Sequence, residues 1–285
     1  MKKLNPIVLL FLILATTTIY SQKAKNTNPL HYGNNPKAGK YLATRGIKIY
    51  YETYGKGEPL LLIHGNGGSI KDFKYQIGFF SKHYKVIVAD NRAQGKTIDS
   101  SATLHYETMA DDLNALLDSL KIKSAYVIGW SDGGIDGLLL AIHHPGKVKK
   151  LVTTGANLVP DDAVLDPAGV AFIADSRKAL MAAKQDAATK NTLKLINMMA
   201  LEPHISFADL QTISCPVLVV GGDADVIKPS HTVQIFEGIK QANLWILPSS
   251  GHATLQRYKE EFNAKVLNFF QKPYKKAKWD DWDNF

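Results

Sequence analysis

Hydrophobic positions along this chain form two alternating kinds of run. Short, nearly continuous apolar stretches lie at residues 60–63, 85–89, 125–128, 148–153, 216–220 and 244–247. Runs this short, bounded by turn residues, predict strands buried on both faces. An earlier strand is predicted in GIKIYYETYG, where Ile47, Ile49 and Tyr51 alternate with polar neighbours. Between these runs the period changes. Tyr106, Met109, Leu113, Leu116, Leu117 and Leu120 recur at helical spacing, residues 135–142 read as an apolar helix, and 257–271 as a closing amphipathic helix. Strands alternating with helices predict an α/β fold: a mostly parallel central sheet with helices on both faces. In such sheets ligands bind beyond the carboxyl ends of the strands.

Residues 158–209 break the rhythm. They hold no strand pattern but two helical segments, SRKALMAAKQDAATK and TLKLINMMAL. We read them as a small helical cap inserted after the sixth core strand; two ordinary crossover helices on the sheet are the alternative. The N-terminus differs again. Lys2 and Lys3 precede the apolar run IVLLFLILATTTI, and polar residues follow. That pattern predicts a signal peptide over 1–21, because the run is short for a membrane span; an uncleaved anchor is the alternative. Export to the periplasm or medium follows, with no stable membrane span once the signal is removed. Residues 22–39 read as a flexible lead-in, 40–271 as the domain, and 272–285 as a charged tail carrying Trp279, Trp282 and Phe285.

Composition narrows the function classes. The 285 residues are 45% hydrophobic and 21% charged, which fits a globular protein. Cys215 is the single cysteine, so an internal disulfide and a cysteine zinc site are both excluded. The net charge is +8. Its densest clusters, Lys147, Lys149, Lys150 and Lys272, Lys275, Lys276, Lys278, lack interleaved aromatics, so no nucleic-acid partner is expected.

The candidate chemistry lies at strand ends. Gly129-Trp130-Ser131-Asp132-Gly133 fits G-x-S-x-G between a predicted strand and a predicted helix. Such a turn presents a serine hydroxyl at a helix N-terminus, and its glycines admit the close backbone approach. A serine needs a base, and a histidine held by a carboxylate supplies one. Of nine histidines, His252 in SSGHA follows the last strand. The carboxylate is expected after the penultimate strand, in GGDADVIKP. We choose Asp225, because an acid nearer the strand end, Asp223, is often used to shape the turn. The position after the sixth strand reads Gly155-Ala156-Asn157 and offers no acid. The order Ser131, Asp225, His252 suits this class of fold. Two backbone N–H groups, of Asn66 in HGNGG and of Asp132, are the expected oxyanion donors. His64 in the same loop is read as a brace. Trp130 and Asp132 flank the serine and are expected to contact substrate. Asp132 could attract a cationic group, or simply suit the first turn of a helix. No H-E-x-x-H or spaced ligand cluster occurs, so neither a metal nor another cofactor is expected.

These motifs together resemble the α/β-hydrolase superfamily over residues 40–271: HGNGG, DNRAQG at 90–95, GWSDGG, GGDADVIKP and SGHA. GWSDGG, Lys150-Leu151-Val152 and Gly155-Ala156-Asn157 are most similar to the valacyclovir hydrolase (biphenyl hydrolase-like) group. The resemblance implies the α/β-hydrolase fold, the triad Ser131, Asp225 and His252, oxyanion donors Asn66 and Asp132, and cleavage of small or aminoacyl esters. The chain departs from that group at 158–209 and in its expected export. Hydrolysis of C–C, lactone or amide bonds, or perhydrolysis, would use the same triad. A non-catalytic binding protein on this scaffold is the reading from another class. Dehalogenation is disfavoured, because its nucleophile is a carboxylate. The sequence does not reveal the oligomeric state.

Overall fold

The computed structural model describes residues 31–276. The expected signal peptide, residues 22–30 of the lead-in and residues 277–285, with Trp279, Trp282 and Phe285, lie outside the described residues. The chain runs β1 (Gly39–Thr44), β2 (Ile47–Tyr54), β3 (Pro59–Ile63), a 3₁₀ turn (Ile70–Phe73), α1 (Lys74–Phe80), β4 (Lys85–Ala89), α2 (Tyr106–Ser119), β5 (Ala125–Trp130) and α3 (Asp132–His143). It continues through β6 (Val148–Thr154), α4 (Pro167–Ala182), α5 (Ala187–Leu201), α6 (Phe207–Thr212), β7 (Val217–Gly222), α7 (Pro229–Gly238), β8 (Ala242–Leu247), α8 (Thr254–Arg257) and α9 (Lys259–Gln271).

One eight-stranded sheet in the order β1-β2-β4-β3-β5-β6-β7-β8 organises the fold. Pairings β1–β2 and β2–β4 are antiparallel and the other five are parallel. The chain is an α/β-hydrolase fold, as the alternating runs and motifs suggest. Continuous apolar strands are explained by the two faces. Leu61, Ile63, Ile87, Val127, Leu151 and Val219 face a core shared with α2, α3 and α7. Leu60, Leu62, Val86, Val88, Ile128 and Val152 face the other core, against α1 and α9. Next to β3 the winding reverses, with β4 on one side and β5 on the other. This is the switch point at which ligand sites form.

Several elements differ from the sequence reading. β1 was not expected. It is an edge strand with Lys40 and Tyr41 exposed, so it needs no continuous apolar run. Its turn to β2 passes through Arg45 and Gly46, both at positive φ, which suits a tight hairpin. The end of the lead-in is pinned: Gly33 and Asn35 N–H groups donate to the Glu52 carboxylate at 2.8 and 2.9 Å. The closing helix expected over 257–271 is α9, and a short extra turn of helix, α8, precedes it across Tyr258 (φ −110°, ψ 40°). α1 and the 3₁₀ turn are too short to show a helical period.

The segment after β6 forms the helical hairpin α4–α5, followed by α6. Asp166 and Asp186 cap α4 and α5 by accepting N–H groups of Ala168 and Thr189. α4 buries no residue, whereas α5 buries Leu195, Ile196 and Met198. Three polar links tie α5 and the residue after it to the core. Asn191 donates to the Ala93 carbonyl at 2.7 Å, Lys194 pairs with Asp99 at 3.1 Å, and Glu202 accepts the Tyr106 N–H at 3.1 Å. Among the described residues, no helix is long and apolar enough to cross a membrane. Cys215 is buried, and burial pushes its thiol up to about 11, so it is no thiolate nucleophile at neutral pH.

Candidate active site

Ser131 lies between β5 and α3 with φ 57° and ψ −122°, a strained conformation for a residue with a side chain. The flanking glycines show why the turn is possible. A Cβ on Gly129 would lie 2.0 Å from the Gly133 carbonyl oxygen, and one on Gly133 would lie 2.0 Å from that of Ile63. The loop after β8 brings His252 to this serine. The Ser131 hydroxyl lies 2.8 Å from His252 Nε2, and His252 Nδ1 lies 2.7 Å from Asp225 Oδ1. A buried carboxylate against Nδ1 holds the proton there and leaves Nε2 free to accept. Asp225 is fixed in turn, accepting the Ile227 N–H at 3.1 Å.

Asp223 sits elsewhere. It is exposed and accepts the N–H groups of Ser249 and Ser250 at 2.8 and 2.9 Å. Those donors hold its carboxyl below the usual range. Asp223 therefore shapes the loop that carries the histidine, while Asp225 meets the histidine itself. Trp130 has a task that its neighbourhood in sequence did not reveal. Its indole N–H donates to the His252 carbonyl at 2.9 Å, and its ring lies on the pocket wall.

Asn66 occupies a turn closed by Gly68 N–H to the Gly65 carbonyl, and Asp132 opens α3. Opening a helix leaves the Asp132 N–H without an acceptor within that helix. The two side chains also meet: Asn66 Nδ2 donates to Asp132 Oδ2 at 2.7 Å and reaches the Leu195 carbonyl of α5 at 3.4 Å. His64 is fully buried beneath this loop. Its Nε2 accepts the Asn91 N–H at 3.0 Å, so Nδ1 carries the proton and donates to the Gly65 carbonyl at 2.8 Å. Burial pushes the ring below its ordinary value, which keeps it neutral. It braces the loop and does not reach the pocket lining.

Burial pushes the Asp132 carboxyl up to about 6, against the opposing hydrogen bonds from Asn66 and Tyr106. Tyr106 is itself raised, first by burial and then by Asp132. One turn along α3, Asp136 is raised well above its ordinary value by burial and then by the charge of Asp132.

A cavity of about 630 Å³ opens over Ser131 and His252. Its apolar wall comes from the helical hairpin, chiefly Phe172 and Ile173 of α4 with Ile196 and Met199 of α5. Asp72, Asp132 and Glu202 are the carboxylates on the wall, and no Lys or Arg of the described residues lines it. Glu202 carries no local sequence signal, since only the placement of the hairpin brings it here. Among the described residues no three His, Cys, Asp or Glu side chains are grouped to hold a metal ion.

Comparison with known proteins adds the following. The family model described as "alpha/beta hydrolase fold" matches residues 58–177. Human serine hydrolase BPHL is 28% identical over 258 residues, covering 84% of this chain and 88% of that one. The 3-oxoadipate enol-lactonase 2 of Acinetobacter baylyi is 27% identical over 251 residues, covering 79% of this chain and 94% of its own. A crystal structure of a hydrolase from Pseudomonas aeruginosa superposes with a TM-score of 0.72 at 23% identity, covering 84% of this chain and 100% of the other.

Proposed function

Because the chain belongs to the α/β-hydrolase superfamily, we propose that it is a serine hydrolase that cleaves carboxylic esters through an acyl-enzyme. The observation that carries this reading is the relay Ser131 Oγ, His252 Nε2, His252 Nδ1, Asp225 Oδ1, with contacts of 2.8 and 2.7 Å, at the floor of the cavity.

In this reading Ser131 attacks the ester carbonyl while His252 takes the hydroxyl proton. The N–H groups of Asn66 and Asp132 stabilise the tetrahedral oxyanion. His252 then gives its proton to the leaving alcohol, and water repeats the path on the acyl-enzyme. Asp225 keeps the ring oriented and stabilises the imidazolium.

The wall of the cavity supports a substrate class. Three carboxylates and no cation favour a neutral or cationic substrate. An acyl group bearing its own carboxylate, as 3-oxoadipate does, would meet no positive partner there. An aminoacyl ester would place its ammonium near these acids. The hydrophobic roof would take an apolar side chain or leaving group. Export, read from residues 1–21 alone, would place this chemistry outside the cytoplasm.

The test is initial rates on p-nitrophenyl acetate, butyrate and octanoate, with Ser131→Ala alongside. The variant should lose at least about 10⁴-fold in kcat. Turnover that survives in the variant would assign the reaction to another group.

A further inference from the structure

We propose that the side-chain link between Asn66 and Asp132 is a positioning clasp that holds the two halves of the oxyanion hole in register. The proposal rests on the reading of Ser131 as nucleophile. It gives both side chains a role separate from that of their backbone N–H groups.

The two donors belong to separate pieces of chain. Asn66 is on the loop after β3, and Asp132 is the first residue of α3. The pairing of β3 with β5 ends at Ile63 and Gly129, so no strand ladder ties the loop to the helix. The loop is held at its flanks. His64 holds the Gly65 carbonyl at 2.8 Å, and the Asp72 carboxylate accepts the Ser69 N–H at 2.8 Å. Between these anchors lies Asn66-Gly67-Gly68, with Gly67 at φ +64°. Glycines there leave the backbone with intrinsic freedom.

The clasp removes that freedom at the residue that matters. Asn66 Nδ2 donates to a buried carboxylate at 2.7 Å, a charge-assisted contact on the cavity wall. The same Nδ2 lies 3.4 Å from the Leu195 carbonyl on α5. The amide thus has two acceptors within the protein, and the side chain acts as a strut. The far end is fixed as well. Asp132 is the buried first residue of α3, and Tyr106, which lines the same cavity, has its N–H held by Glu202. Oxyanion donors act only within a narrow distance of the developing charge, and a misplacement of about 1 Å lowers rate on the order of a hundredfold.

The competing role for Asp132, anchoring a substrate cation, predicts something different. It acts on KM for cationic esters and leaves neutral esters untouched. The test therefore uses p-nitrophenyl butyrate, which is neutral, and an alkyl trifluoromethyl ketone, which forms an anionic hemiketal on Ser131. Three variants are compared with wild type: Asn66→Ala, Asn66→Asp, and Asn66→Asp with Asp132→Asn. Asn66→Ala keeps the backbone N–H and loses the strut. It should lower kcat about tenfold to a hundredfold and weaken the ketone by a similar factor, with KM within about twofold. Asn66→Asp sets two carboxylates against each other and should lower kcat further. The double variant exchanges donor and acceptor and should recover most of that second loss. An unchanged kcat and ketone affinity in Asn66→Ala, or no recovery in the double variant, overturns the clasp. If wild type shows no Ser131-dependent turnover, the reading of the site fails and the clasp falls with it.

Discussion

Asp132 carries three demands at one position. Its N–H opens α3 and is the one we propose for the oxyanion, its carboxylate grips Asn66, and it lies only 4% exposed. Burial holds the carboxyl at about 6 against an ordinary 3.8. Below about pH 4 both folded and unfolded chains are protonated there. Between about 4 and 6 the unfolded chain has released a proton that the native state retains, so stability falls as pH rises through that window. Above 6 the difference is complete, about 3 kcal/mol for the group. Asp132→Asn should therefore flatten the fall, measured as denaturant midpoints at pH 4, 5, 6 and 7; a fall as steep as wild type would place its source in another acid. The choice between Asp223 and Asp225 also belongs at this scale. Turn chemistry favoured the second acid, and the geometry supplies the reason: the first is occupied by the N–H groups of Ser249 and Ser250.

At the scale of elements, the strand–turn–helix at Ser131 is legible from its residue pattern, although only one of its steric constraints is local: Gly129 meets the Gly133 carbonyl four residues on, whereas Gly133 meets that of Ile63 on β3. Gly129 and Gly133 sit against backbone oxygens that no rotamer change can move. Gly133→Ala should destabilise the fold by more than about 3 kcal/mol in urea melts and abolish turnover. Gly146, at φ +89° with open space where a methyl group would stand, offers the contrast. Gly146→Ala should lose only about 1–2 kcal/mol, the strain of the conformation alone. Comparable losses at both sites would show that close backbone approach is not what excludes a side chain from the elbow. The hairpin α4–α5 is a different case. Its helical character was readable from composition, although the expected segment 176–190 runs across the turn at 183–186, and the seat of the hairpin over Ser131 depends on Asn191, Lys194 and Glu202 meeting partners from 93 to 106 in the chain. Edge strand β1 escaped the reading because half of its surface faces water.

Across the whole molecule, stability is uneven. Two hydrophobic cores flank the sheet, while α4 buries nothing. The connection at 183–186 is exposed throughout. Brief trypsin treatment should make its first cut between residues 40 and 270 at Lys184, read by mass spectrometry. A first cut within α2 or α9 would contradict that ranking. This division also separates what the sequence by itself determined from what the tertiary structure decided. Residues near one another in the chain determined the α/β alternation, the two-faced strands and the Gly129–Gly133 approach within the elbow, because periodic burial and that contact act over a few residues; the approach of Gly133 to Ile63 belongs to the folded sheet. The order Ser131, Asp225, His252 was legible for a related reason: each follows a strand, and a parallel sheet gathers its strand ends on one edge. Only the folded chain decided that Asn66 grips Asp132, that Trp130 holds the His252 loop, and that Glu202 reaches the cavity. Those partners are 66, 122 and 96 residues apart, with Tyr106 as the partner of Glu202. Contacts at that range depend on sheet order and on the seat of the helical hairpin, which no local pattern encodes.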